Sequence, residues 1–228
     1  MTDPDQLVWY VSYGSNMHAE RLNCYLAGGV PPGGTFACAG ARDPRPPRQD
    51  AAVWLPGGVY FATHSPVWEG GRAFYDPELP GTAAARAWLI TAAQFADISA
   101  QEMYRAPGTD LDLTDVLAAG RAELGPGRYE TLLHVGERDR CPLLTFTAPW
   151  HCADIPAEPP SLAYLRMLAG GLIDGHDWDI PRTAAYLAAR PGAAERWTAA
   201  ELARLLTNPA EPAANHDPAH IPGPDPAR

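Results

Sequence analysis

Positive charge is scarce in this chain of 228 residues: 17 Lys and Arg stand against 27 Asp and Glu, a formal net charge of -10. Such a surface repels phosphate backbones and anionic headgroups, so neither nucleic-acid binding nor docking on an acidic membrane is expected. Long apolar runs are missing too. The stretch 162–173 is broken by Arg166, far short of the roughly 20 residues a spanning helix needs. The opening residues, Met-Thr-Asp-Pro-Asp-Gln, carry no basic segment of the kind that starts a signal peptide. Cys24, Cys38, Cys141 and Cys152 form no Cys-x-x-Cys pair, which argues against a zinc ribbon or redox motif. Four reduced, mostly buried thiols and a cytoplasmic location are expected. No Gly-x-Ser-x-Gly elbow, His-Glu-x-x-His or phosphate-binding Gly-rich loop occurs. The paired histidines and spaced aspartates of a zinc-dependent deacetylase are lacking, and no internal repeat is visible.

What is present suits one packed domain over 1–207, since 46% of the residues are apolar. Residues 7–12, Leu-Val-Trp-Tyr-Val-Ser, read as an apolar strand. Short β-like runs follow at 35–39, 52–55, 58–64, 72–75 and 84–90, punctuated by Gly and Pro clusters. Many short strands with frequent breaks favour a barrel or a compact mixed sheet over a doubly wound parallel sheet, and the fold expected is α+β, a mixed β-barrel surrounded by helices. Ser15 or Asn16 is expected to cap a helix over 17–26, which puts Met17, Arg21 and Cys24/Tyr25 on one face. Thr91, with Gln94 three positions on, opens a helix carrying Phe95, Ile98 and Glu102. A helical piece is expected at 114–123, a strand pair at 128–135 and 142–147 with a turn over 136–140, and a helix over 160–173. Asp179 and Thr198 are expected to cap two last helices. From Asn208 onward, Pro, Ala, Asp and His dominate, and this tail is expected to be disordered.

Two features carry chemistry. The first is Tyr13-Gly14-Ser15-Asn16, directly after the strand that contributes Tyr10, Val11 and Ser12. Successive N–H groups at a strand-to-helix turn make an anion or oxyanion pocket, and glycine lets a ligand approach the backbone closely. An ordinary turn with an N-cap is the plainer alternative. The second is Glu102. Ser99-x-x-Glu102 matches a capping box, yet Ser99 falls inside a helix that already starts near Thr91, and Ile98 and Met103 flank the acid. A half-buried carboxylate there would have its pKa raised by desolvation, as a base working near neutral pH requires.

The strand plus Tyr13-Gly14-Ser15-Asn16-Met17 resembles the signature opening of gamma-glutamylcyclotransferases. The resemblance continues in order through the Gly57-Gly58 strand to His64, through Arg86-Ala87-Trp88, through Gln101-Glu102, through Gly127-Arg128-Tyr129, and through the helical stretch ending at Tyr186-Leu187. It covers roughly 7–191. It implies a metal- and cofactor-free enzyme of that family whose partner is a small molecule bearing a gamma-glutamyl or related amide. The loop would hold the gamma-glutamyl group through backbone N–H groups. Glu102 would take a proton from the substrate's α-ammonium, so that the amine closes a five-membered ring, releasing 5-oxoproline and an amine. Amide hydrolysis or amido transfer on the same scaffold, and a non-catalytic binding module, remain alternatives. A homodimer is compatible with the reading.

This chain departs from that pattern at Met103, where glycine is expected, and by an insertion over 107–126 that is placed to form a lid or rim. Tyr129 either holds substrate or packs. His64 either lines the pocket or is a buried, hydrogen-bonded histidine. His176, Asp177 and Asp179 read as metal ligands or, more simply, as a turn with a helix cap. Trp54, Trp68, Trp88, Trp150 and Trp178 read as core or rim packing.

Overall fold

The computed structural model describes residues 2–31 and 37–208. The fold is α+β. A six-stranded mixed sheet runs in the order β2-β5-β1-β8-β7-β6, with β1 Leu7–Ser12, β2 Gln49–Pro56, β5 Thr82–Thr91, β6 Arg121–Glu123, β7 Thr131–Arg138 and β8 Cys141–Thr147. Only the β1–β8 pair is parallel among these. Two further strands, β3 Gly58–Ser65 and β4 Gly70–Asp76, pair with each other apart from the sheet.

The expected barrel does not close among the described strands. The sheet ends at β2 on one side and at the three-residue β6 on the other. Closure is not needed, because both faces are covered. Trp9 and Val11 of the central strand join one cluster, with α4 Leu162–His176, α5 Ile180–Ala188 and α6 Ala199–Thr207. Val8 and Tyr10 join the other, with α1 Ala19–Ala27, α2 Ala92–Glu102 and α3 Thr114–Ala119. This two-sided burial is why β1 is apolar at nearly every position rather than alternating.

Thr91 ends β5 and caps α2. Its Oγ1 accepts from the Gln94 N–H at 3.1 Å, and the Gln94 side chain accepts from the Thr91 N–H at 3.1 Å. Since β5 runs antiparallel to β1, α2 starts beside Leu7 and retraces β1 in the same direction. Eleven helical residues rise about 16 Å, and six strand residues span about 20 Å. The last residue of α2, Glu102, therefore returns to the level of the loop that follows β1.

Several expectations need correction. Ser15 and Asn16 do not cap a helix over 17–26; a single 3-10 turn, Ser15–Met17, comes first, and α1 starts at Ala19 without a side-chain cap. The helix expected over 114–123 stops at Ala119, where Gly120 turns left-handed at φ 80° and the chain becomes β6. The β7–β8 turn is confined to Asp139 and Arg140, both at positive φ, as a tight two-residue hairpin requires. Of the strand expected over 35–39, residues 35 and 36 lie outside the described residues, and Cys38 makes a single bridge to Gly29. The tail from 209 likewise lies outside them. Among the described residues, Cys24 is buried and the other three cysteines are half-buried, all unpaired. No described helix is long and apolar enough to cross a membrane.

α4 is locked against the 3-10 turn at Gly171. A Cβ there would fall 2.5 Å from Met17 Cβ and 2.8 Å from its carbonyl carbon. In a free helix, replacing Gly by Ala gains about 1 kcal/mol. Overpacking against backbone costs about 1–3 kcal/mol. Gly171→Ala is therefore expected to lower stability in urea unfolding despite its better helix propensity. A gain would show that this close approach does not hold the loop.

Candidate active site

Elements from both halves of the chain meet at the C-terminal end of β1. A narrow pocket there has about 320 Å³ of empty space, counting its open mouth. It is lined by the loop Tyr13, Gly14, Ser15 and Asn16, by Tyr10 and Ser12 of β1, by Glu102, and by Tyr129 and Tyr164, among others. The loop's own geometry leaves donors unspent. The Met17 and His18 N–H groups turn back to the Gly14 and Ser15 carbonyls. Among the described residues, nothing accepts from the N–H groups of Gly14, Ser15 or Asn16, as the start of a helical turn dictates. Gly14 itself sits at φ -114°, which any residue adopts. A Cβ there would sit 3.5 Å from the Tyr164 hydroxyl in the pocket wall, an ordinary contact distance.

Asn16 joins loop to acid. Its Nδ2 donates to Glu102 Oε1 at 2.9 Å and to the Tyr10 hydroxyl at 3.2 Å. Its carbonyl accepts from Trp88 Nε1 at 3.0 Å. Its Oδ1 is buried without a partner among the described residues.

Glu102 as a residue keeps some surface open to the pocket, whereas its carboxyl group is closely surrounded by protein. Burial raises its pKa above the ordinary carboxylate value. The Arg21 charge, the hydrogen bonds from Tyr25 and Asn16, and the Arg72 charge pull it back down, in that order. The surrounding phenols respond in kind. Burial pushes Tyr164 up to about 12, and Tyr10 and Tyr129 are raised by burial and by the Glu102 charge.

The remaining expected site residues divide. Tyr129 lines the pocket and also packs, its ring stacked on Phe74 with centroids 5.2 Å apart and its hydroxyl donating to the Ala73 carbonyl at 3.1 Å. Val11 points into the core cluster, and its carbonyl accepts from Thr145 Oγ1 at 2.7 Å. His64 does not line the pocket. It is exposed on β3, where a bulge after Ala62 shifts the register, and its Nδ1 meets Glu158 Oε1 at 2.9 Å. The insertion 107–126 contributes no residue to this pocket; Leu113 and Val116 are buried beside α2 instead. His176 meets the Ala85 carbonyl, and Asp179 caps α5 by accepting from the Arg182 N–H at 2.8 Å. No group of three described His, Cys, Asp or Glu residues is placed to hold a metal ion. Trp54 is about half-exposed on the edge strand.

Tyr164 is a site residue that no chemical motif announced; it sits in an apolar helix pattern, which carried no signal for it.

No protein-family profile matches the chain. Over 198 residues it is 30% identical to histone deacetylase 5 of Arabidopsis thaliana, covering 79% of this chain and 30% of that protein. The chain thus spans about a third of the length of that relative. Among solved structures it is similar to a gamma-glutamyl cyclotransferase (TM-score 0.47, 14% identity) and to an uncharacterised human protein (TM-score 0.46, 15% identity). In each case 89% of this chain and 99% of the other are covered.

A raised carboxyl pKa means that the folded state binds this proton more tightly than the unfolded chain does. Glu102 therefore favours the fold below the ordinary carboxylate range. That contribution is lost as pH rises through the folded pKa, and above it the ionised group opposes folding. Glu102→Gln, which keeps an oxygen for Asn16, is expected to be more stable than the parent at pH 7, with the gap closing as pH falls through the folded pKa towards about 4. Thermal unfolding across pH checks this; equal stability at every pH would mean the carboxylate is solvated.

Proposed function

We propose that the chain is a gamma-glutamylcyclotransferase-like enzyme in which Glu102 is the general base. The observation that carries the reading is the Asn16–Glu102 hydrogen bond, which fixes a desolvated carboxyl group in the same small pocket as the unspent N–H groups of the loop. A compact zwitterion that bridges acid and amides fits that arrangement.

In this reading Glu102 takes a proton from the α-ammonium of a gamma-glutamyl amide. The freed nitrogen attacks the γ-carbonyl carbon, a ring C–N bond forms, and the carbonyl oxygen becomes an oxyanion beside the loop N–H groups. The amide C–N bond then breaks as the proton held on Glu102 passes to the departing nitrogen, and the second proton of the ring nitrogen follows to that amine, leaving 5-oxoproline and an ammonium ion. Nucleophile and electrophile belong to one molecule, so binding the substrate folded supplies much of the acceleration.

Glu102→Gln is expected to reduce turnover of a gamma-glutamyl amide about 10²–10⁴-fold, the usual worth of a general base. Mass analysis should find 5-oxoproline from the parent chain. Free glutamate instead would move the assignment to amide hydrolysis, with Glu102 activating water. Unchanged turnover in the variant would remove Glu102 from the chemistry.

A further inference from the structure

The insertion 107–126 leaves the first pocket alone but builds one wall of a second. A groove with about 960 Å³ of empty space, counting its open side, lies between the α3–β6 turn, the chain just after β4, strand β7 and His151. It shares no lining residue with the first pocket. Pro77, Ala119, Leu133 and Val135 give it apolar surface. Glu78, Arg121 and His151 bring both signs of charge to the same opening.

His151 is oriented from behind. Asp76, buried at the end of β4, accepts from the Cys152 N–H at 2.9 Å, from the Glu78 N–H at 2.9 Å and from His151 Nδ1 at 3.1 Å. A carboxylate only accepts, so Nδ1 carries the proton in that bond. The hydrogen bond to Asp76 raises the His151 pKa above the ordinary histidine value. Nε2, on the far side of the ring, has no partner among the described residues.

Arg121 is fixed to the same segment. Its Nη2 donates to Glu123 Oε1 at 3.0 Å and to the Pro149 carbonyl at 3.2 Å, two residues before His151. Its Nε also turns to Glu123, and its Nη1 has no partner among the described residues. Glu78 is the exposed acid beside them, with Oε2 3.8 Å from His151 Nδ1.

We propose that this groove is a second ligand site, one that takes a free α-amino acid with an aliphatic side chain. The carboxylate accepts from Arg121 Nη1 and from His151 Nε2, the ammonium donates to Glu78, and the side chain covers Leu133 and Val135. Charge decides the class. A plain anion would be opposed by Glu78, and a plain cation by Arg121 and His151; a zwitterion with its two charges one carbon apart satisfies all three. Apolar walls with a few convergent polar groups are the usual make-up of a small-molecule site. The site does not depend on the reading of Glu102.

The test titrates L-leucine into the full ¹⁵N-labelled chain. The expected result is a saturable shift of the Gly120, Arg121, Val135 and His151 amide signals, with those of Gly14, Ser15 and Asn16 unmoved. Leucinamide lacks the carboxylate and N-acetyl-leucine lacks the ammonium. Each is expected to bind about tenfold more weakly or worse, the scale of a lost hydrogen bond to a charged group. Glycine, with no side chain to cover the apolar wall, should lose a similar factor. Arg121→Gln, His151→Asn and Glu78→Gln should each weaken leucine binding about tenfold. Shifts that do not saturate, or that fall on the Gly14–Asn16 loop instead, overturn the proposal. So does equal binding of N-acetyl-leucine or leucinamide, which would leave a site for a plain anion or a plain cation. Unchanged leucine affinity in folded Arg121→Gln or Glu78→Gln overturns it as well. Should Arg121→Gln or His151→Asn fail to fold, Glu78→Gln, which alters an exposed side chain, carries the same readout.

Discussion

Everything near the pocket answers to one constraint: a carboxyl group must be kept where neither solvent nor the helix that bears it favours its charge. Glu102 is the last residue of α2. The carbonyl end of a helix carries partial negative charge, which opposes a carboxylate, and burial opposes it further. The compensation comes from elsewhere in the chain. Asn16 reaches it across 86 positions of sequence, and the Arg21 charge on α1 favours its ionised form. An acid held this way is poised to take a proton, and the same arrangement makes it a stability liability. That combination is expected of a residue retained for chemistry.

The scaffold brings these parts to one level. β1 lies mid-sheet and is buried on both faces, so its C-terminal end is fixed by packing on two sides. α2 is fixed at its start by the Thr91 capping box and along its length by Asp97. That carboxylate is fully buried and accepts from the Arg42 N–H at 2.9 Å, from Arg42 Nε at 3.0 Å and from the Gly108 N–H at 2.8 Å. The insertion thus braces the helix that ends in the acid. It contacts α2 and does not line the pocket.

Much of this was legible in the sequence because it depends on local rules. β1 is a continuous apolar run, Thr91 and Gln94 are a capping pair, and Asp179 and Thr198 cap helices where their side chains can reach the third N–H. Glu102 stood out because a second cap inside an established helix makes no sense. What escaped depends on tertiary packing. An alternating barrel strand and a strand buried between two helical layers both read as short apolar segments, so closure was not decidable from pattern. His64 lies in the strand that opens at Gly58, but a bulge after Ala62 shifts its register and its side chain meets Glu158. The role of residues 107–126 rests on Arg42 and Asp97, which no spacing rule connects.

The one local rule that failed at the site failed for a physical reason. Ser15 and Asn16 have the chemistry of helix caps, and a cap was the natural expectation. A capping Asn spends its side chain on the backbone N–H groups two or three positions ahead. Here the Met17 and His18 N–H groups donate to the Gly14 and Ser15 carbonyls instead, and the Asn16 amide group is released to hold Glu102 and Tyr10. The short 3-10 turn makes this geometry, because it delays α1 until Ala19 and separates the loop donors from the helix that follows. Had Asn16 capped α1, its side chain would face the helix amides and the acid would lose its direct tie to the loop after β1. The absent cap and the positioned carboxylate are therefore two consequences of the same choice of backbone.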